Sequence, residues 1–304
     1  MAAVEIRPAQ PKDKEPVLAF SRQSFEWGDY IEHVWDDWIS DPTGELVVAV
    51  RDDVPAAPEV PVGVAYVTML TETEAWYQGV RVAPEMRRQG VGTALTRHCA
   101  HRARDLGAEV VRALVEGSNV ASQTMMQRAG YAQVGAFAIF TAETAGVTED
   151  QREGPLVSQP GPDRLDAIWS WLESSNLASL NGGLLLNGWR GVALTDERLN
   201  YALAEGCVWL LEEWGNIQAL AIAAPRQTNE QQTIFSTQYI DGTAEGIGRL
   251  MLYLRAHAAG QGFATIDVRP PDLLILFDAL NGAGFERRDE HGMWIMALEL
   301  GDEV

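Results

Sequence analysis

Val80-Arg81-Val82-Ala83-Pro84-Glu85-Met86-Arg87-Arg88-Gln89-Gly90-Val91-Gly92-Thr93-Ala94-Leu95 passes from a strand pattern, through a glycine-bearing turn, into a helix pattern. Gly90 and Gly92 remove side chains where a backbone must approach a ligand closely, and they reach φ angles that other residues avoid. Successive N–H groups in such a turn, followed by a helix N-terminus, form a concave anion nest. Arg87 and Arg88 bring full positive charge to the same place, a chemistry that suits a pyrophosphate. The turn is not a Walker loop, because no Gly-Lys-Ser/Thr follows. It is not a dinucleotide fingerprint either, since the third glycine is missing and the turn follows the fourth strand rather than the first.

Outward from this turn, strand and helix patterns alternate. Val4–Arg7 reads as a strand, and Pro11 opens a helix reaching about Phe25. Ile31, Val34, Trp35, Trp38 and Ile39 recur at the helical spacing. Leu46–Val50 and Val62–Met69 read as strands joined by a loop with Pro55, Pro58 and Pro61, and Trp76–Val82 as a further strand. The helix after the turn presents Val91, Ala94, Leu95, His98, Cys99 and the stem of Arg102 as its apolar face. Val110–Val115 is a strand, Val120–Arg128 a helix and Gln133–Thr141 a last strand. The order βααβββαβαβ predicts an α/β domain with a mixed sheet.

The segment Arg87-Arg88-Gln89-Gly90-Val91-Gly92 resembles the acetyl-CoA signature of the GNAT superfamily of N-acetyltransferases, Arg/Gln-X-X-Gly-X-Gly/Ala. The flanking Val80-Arg81-Val82-X-Pro84 and Thr93-Ala94-Leu95 are similar to that family too. So is a second segment, in which Asn119 and Ser122 precede a helix that ends in Gly130-Tyr131. The resemblance covers most of residues 4–143. It implies acetyl-CoA as co-substrate, with backbone groups of Val80, Arg81 and Val82 along the pantetheine arm. It further implies that Arg87, Arg88, Gln89, Gly90, Val91, Gly92 and Thr93 cradle the pyrophosphate, with Asn119, Ser122 and the Met126 position along the cofactor. Direct transfer of acetyl to a primary amine in a ternary complex is the implied reaction, the backbone N–H near Val82 polarising the thioester carbonyl.

The chain departs from the family at two catalytic positions. Many relatives carry a tyrosine, the acid for the leaving thiolate, where Met126 stands, and a thioether supplies no proton. The frequent glutamate position is Trp76. Glu74, two residues earlier on the same strand face, is the alternative base through a water, with Glu72 and Tyr77 as further candidates; a solvent-facing carboxylate at a strand end is the competing reading of Glu74. Cys99 and His98 read as packing residues, and no His/Asp/Glu cluster has metal-ligand spacing. Phe25-Glu26-Trp27-Gly28-Asp29-Tyr30 with Asp36, Asp37 and Asp41 would suit a cationic amine acceptor by cation–π contact and charge pairing. The same residues also fit a plain core-and-wet-face helix.

The second half repeats the first at a spacing near 155. Gly246-Ile247-Gly248 falls on Gly90-Val91-Gly92, and Gly284-Phe285 falls on Gly130-Tyr131. Thr243-Ala244-Glu245 replaces the arginines, Leu273 replaces Asn119 and Leu280 stands at the Met126 place. The expected architecture is therefore α/β with two GNAT-like domains, each a mixed, mostly antiparallel sheet flanked by helices. A GNAT acetyl-CoA-binding domain would span 1–146 and a degenerate copy 153–304, separated by a glycine- and proline-rich boundary with a short strand within Gly154–Gln159.

Composition bounds the function. The 304 residues carry 23 basic and 43 acidic side chains, a net charge of −20, which argues against a nucleic-acid partner. Lys12 and Lys14 are the only lysines, and seven arginines concentrate at 81, 87, 88, 97, 102, 104 and 112, so a local anion site is expected in an acidic protein. No apolar run approaches the roughly 20 residues that span a bilayer, and the start shows no signal peptide. Two cysteines fit a reducing, cytoplasmic setting without a disulfide framework or cysteine zinc site. Two rivals stand beside the amine acetyltransferase. One is a mycothiol-synthase-like acetyltransferase, in which the second copy is the active one. The other is a non-catalytic acyl-CoA sensor.

Overall fold

The computed structural model describes residues 4–22, 29–51, 60–146, 157–228 and 231–301. The expected helix end at Phe25, the loop around Pro55 and Pro58, and residues 147–156 of the boundary lie outside them. The elements of the first half are β1 (Val4–Pro8), α1 (Lys14–Ser21), α2 (Ile31–Ser40), β2 (Gly44–Arg51), β3 (Pro61–Met69), β4 (Glu74–Val82), α3 (Val91–Asp105), β5 (Val110–Glu116), α4 (Val120–Arg128), β6 (Ala132–Phe137) and β7 (Phe140–Glu143). Then follow β8 (Val157–Ser158), α5 (Leu165–Glu173), β9 (Leu184–Asn187), β10 (Arg190–Ala193), α6 (Asp196–Ala204), β11 (Val208–Glu213), β12 (Asn216–Gln227), β13 (Thr233–Gly242), α7 (Ala244–Gly260), β14 (Thr265–Val268), α8 (Leu274–Gly282), β15 (Glu286–Arg287) and β16 (Met293–Glu299).

The first unit comprises residues 1–115, 119–133 and 296–304. Its sheet runs β1-β2-β3-β4-β5-β16-β6. Val47, Val48, Ala49, Val64, Ala65 and Val67 are buried, so β2 and β3 are covered on both faces, which is why they read as continuous apolar runs. The α2 stripe buries Ile31, Trp35 and Trp38. The buried face of α3 is Val91, Leu95, Thr96, Cys99, Ala100 and Ala103, rotated from the expected one. Ala94 and His98 are only half-buried, because the Thr96 flank is drawn inward to meet the Tyr77 hydroxyl at 3.0 Å.

The second unit comprises residues 116–118 and 134–295, with the sheet β15-β7-β14-β13-β12-β11-β8. Ile247, Leu250, Met251, Leu254 and Ala258 of α7 pack into its core beside Phe235, Ile266 and Val268. Read from β8, this sheet repeats the first strand for strand. The two parallel pairs, β4 with β5 and β13 with β14, occupy equivalent places.

Two features of the sheets depart from a simple halving of the chain. The compact units do not follow a single cut between 146 and 153. β7 lies in the second sheet between β14 and β15, and β16 lies in the first between β5 and β6. The expected strand Gln133–Thr141 is two strands broken at Ala138-Ile139. There the Ile139 N–H donates to Asp289 at 2.5 Å and the Ala138 N–H to the Pro270 carbonyl at 3.0 Å, so the backbone is satisfied outside a ladder.

Candidate active site

The β4–β5 pairing ends at Trp76 and Arg112, although both strands continue beyond it. From Tyr77 to Val82 the β5-facing edge of β4 therefore has no strand partner among the described residues. Such an edge is a template for an extended chain bearing amide groups. On its other side β4 carries one extra residue. Gln78 pairs with Tyr66 and Arg81 with Val64, so a bulge falls at Gly79-Val80. Gly79 has φ +74°, and a Cβ there would stand 2.6 Å from the Trp38 ring. A glycine within a strand pattern is the sequence signal for such a bulge, though the alternation around Gly79 otherwise reads as an unbroken strand.

The turn after β4 has the geometry expected of a nest. Arg88 has φ +60° and Gly90 φ +91°, both left-handed, and Gly90 caps α3 without a side-chain hydrogen bond. The first N–H groups of a helix have no intrahelical acceptor, so those of α3 are available at a positive dipole end. Arg87, Arg88 and Gln89 are exposed, and neither arginine forms an ion pair among the described residues. Arg87 donates its Nε–H to the Val82 carbonyl at 3.2 Å, and Gln89 donates to the Glu85 carbonyl at 2.7 Å. The residues present therefore fit a phosphate-bearing group.

Gly92 behaves differently from the expectation that its missing side chain makes room for a ligand. A Cβ there would meet Met125 Sδ at 2.6 Å, so the space is taken by α4. Val91 is buried and Thr93 half-buried in the first turn of α3. Asn119 caps α4, accepting the Ser122 N–H at 3.0 Å, which accounts for both residues structurally. Met126 is 1% exposed and belongs to the core of the first unit; it is Met125 that lies over the turn.

Glu74, expected as a base, has a structural partner. It is buried and accepts from Arg112 at 2.5 Å, at the closed end of the β4–β5 pair. Eight residues separate it from Val82, about 26 Å along an extended strand. Glu72 is exposed at the preceding turn, while burial pushes the Tyr77 hydroxyl well up. Trp76 is buried and can only donate. Cys99 is a buried thiol whose pKa burial raises, as a packing residue should be.

The carboxylates proposed for an amine are largely engaged. Asp29 is paired with Arg81 at 2.5 Å, and Asp36 with Lys14 at 2.8 Å. Asp37 is exposed. Asp41 accepts from the Tyr66 hydroxyl, from the Thr68 hydroxyl at 2.8 Å and from Thr43. Burial opposes its ionisation, yet these donors from Tyr66, Thr43 and Thr68 hold its carboxyl down at about 2. Phe25, Glu26, Trp27 and Gly28 lie outside the described residues. Among the described residues no group of three or more His, Cys, Asp or Glu side chains could hold a metal ion, and no helix is long and apolar enough to cross a membrane.

The second unit keeps the bulge, at Gln238, but not the nest. Thr243 caps α7 by accepting the Gly246 N–H at 3.0 Å, and the helix runs straight through Gly246 and Gly248. A Cβ at Gly248 would stand 3.1 Å from the Ala279 carbonyl, so α7 and α8 pack closely there. Glu245 adds negative charge to the first turn of α7.

Residues 14–131 match the model of the acetyltransferase (GNAT) family. This part of the chain is therefore similar to a GNAT acetyltransferase domain. The whole chain is similar in fold to a GCN5-related N-acetyltransferase from Sphaerobacter thermophilus, at 17% identity and TM-score 0.58, covering 97% of this chain and 95% of that one. It is also similar to the GCN5-related glucosamine N-acetyltransferase region of a fungal multi-domain GH3 β-N-acetylglucosaminidase. That likeness is at 12% identity and TM-score 0.56, covering 98% of this chain and 38% of that one. No curated protein matches by sequence. The matched segment carries the glycine turn, the bulged β4 and the capped α4.

Proposed function

We propose that the GNAT domain binds acetyl-CoA and transfers its acetyl group to a primary amine by direct attack. The observation that carries this reading is the N-terminus of α3, capped by a glycine with no side chain to occupy it, beside Arg87 and Arg88, which form no ion pair among the described residues of a strongly acidic chain. Acetyl-CoA supplies a thioester carbon that the amine nitrogen attacks, with the thiolate as leaving group. The chain's own part is to hold the diphosphate at residues 87–93 and to align an extended arm along the open edge of β4. The Val80–Val82 backbone presents fixed dipoles to the carbonyl oxygen, where preorganised donors are most effective. Positioning of this kind supplies much of the barrier reduction in a two-substrate reaction.

Glu74, the expected base, is engaged by Arg112, so on this reading the incoming ammonium loses its proton to water. The pH profile of kcat/KM should then follow the acceptor amine's own pKa and move when the amine is changed. The second unit is, on this reading, a degenerate GNAT-like copy that binds no CoA. Thr243 occupies its helix N-terminus, and Gly248 lets α8 close on α7.

Calorimetry with CoA, paired with thiol release on a panel of amines, tests both halves. One mole of CoA per chain and turnover of at least one amine are expected. Tight binding without turnover on any amine would favour the acyl-CoA sensor. Two moles per chain would overturn the reading of the second unit.

A further inference from the structure

The bulge in β4 leaves Gly79 and Val80 without ladder partners, so something other than sheet pairing must fix the backbone there. The structure supplies a clamp. Arg81 donates from Nε to Asp29 at 2.5 Å and from Nη2 to the other carboxylate oxygen at 3.3 Å. Its Nη1 donates to the Val80 carbonyl at 2.9 Å, inside the bulge itself. The Tyr30 ring lies 5.3 Å from the guanidinium carbon. Asp29 also accepts the Ile31 N–H at 3.0 Å, so one carboxylate fastens the start of α2 to the bulge. The Asp29 side chain is 1% exposed and that of Arg81 10%, which removes the solvent screening that weakens surface pairs.

We propose that Arg81 is a positioning residue. Held by Asp29, it fixes the Val80–Val82 backbone in the orientation that faces the thioester. This rests on the acetyl-transfer reading, but the clamp itself has an independent signature. The second unit shows what is particular to the first. There Ser175 fastens the segment after α5 to Asp241 of the bulged strand at 2.6 Å, and among the described residues no arginine hydrogen bond to a bulge carbonyl like that of Arg81 is seen. Fastening alone is therefore a property of the sheet. The fork of Arg81, which reaches both Asp29 and the Val80 carbonyl, belongs to the unit with the nest. Lysine, a point charge without a planar fork, cannot make both contacts in the same geometry.

The test compares Arg81→Lys, Arg81→Met and Asp29→Asn with the wild type on three readouts. These are kcat, CoA affinity by calorimetry, and amide hydrogen exchange across residues 79–82 with CoA bound. The clamp requires kcat to fall by about 100-fold, the cost of a misplacement of about 1 Å. CoA affinity should stay within about threefold, since the phosphate contacts are elsewhere, and exchange at 79–82 should accelerate. Unchanged kcat and unchanged exchange overturn the proposal. So does a parallel fall of kcat and CoA affinity with a lowered melting temperature, because that is a structural pair and not a positioning one. If Arg81→Met does not fold, Arg81→Lys, which keeps the charge, decides on the same readouts. If the wild type turns over no amine, the transfer reading fails on its own. Exchange at 79–82 still judges the clamp in that case, and no acceleration in any variant would sink it.

Discussion

Arg87 and Arg88 can be separated from the rest of the turn by what they touch. Among the described residues the Arg87 side chain bonds only the Val82 carbonyl, at 3.2 Å, and both side chains are exposed, so truncation leaves no buried group unpaired. On the acetyl-transfer reading proposed above, their value is charge toward phosphate. Arg87→Ala and Arg88→Ala should each weaken CoA by about tenfold, in keeping with loss of one charge-assisted contact. Turnover of acetyl-pantetheine, which lacks the diphosphate, should stay nearly constant; equal losses on both substrates would show the arginines to be structural. Met126 is the opposite case. At 1% exposure it has no room for a phenol, and overpacking of this kind costs about 1–3 kcal/mol. Met126→Tyr should lower the melting temperature without raising kcat at high pH. A gain in kcat in a stable variant would return the family's acid role to this position. The sequence could name the residue at this place but not its environment, because neighbouring Met125 and Met126 differ only in which side of α4 meets the core.

Most elements were legible because their signals are local: the stripe of α2, the apolar runs of β2 and β3, and the turn from Arg87 to Gly92. The bulge was missed because Gly79 sits inside an otherwise regular alternation, and its consequence appears only when β3 is laid beside it. The Asp29–Arg81 pair spans 52 positions and has no local signature at all. The far end of α2 is secured the same way. Trp38 stacks on Tyr66 at 4.5 Å with the rings 4° from parallel, and Tyr66 donates to Asp41. Because the Asp41 pKa is lower in the folded protein than in the unfolded chain, its bonds contribute stability above the usual carboxylate range. That contribution is lost as pH falls toward about 2. Asp41→Asn should therefore lower the melting temperature near neutrality and flatten its dependence on pH between about 4 and 2. A variant whose acid profile parallels the wild type would show that other carboxylates control that range.

At the scale of the molecule, the sequence displayed the repeat but not the destination of two strands. A strand's alternation records which faces are buried, not which sheet buries them. Gln133–Thr141 therefore read as one strand, and β16 read as the last strand of the second half. The repeated order of the two sheets shows that each completes its sixth place with a strand from the other half of the sequence. For the first sheet this strand is β16, which buries Ile295, Met296 and Ala297 between β5 and β6. Ile295 and Met296 each contribute about 1.5–3 kcal/mol when fully buried. The loss would also strip the ladder from β5, whose divergence from β4 opens the edge described above. A chain ending at Gly292 keeps every residue of the family segment 14–131, yet it should lose CoA binding and the cooperative unfolding of the first unit. Calorimetry and thermal denaturation measure both. A synthetic peptide spanning Met293–Gly301, added in excess, should restore binding by refilling the gap in the sheet. Retention of full CoA affinity by the shortened chain would show that β5 holds its place without β16, and that the exchanged strand has no part in shaping the site.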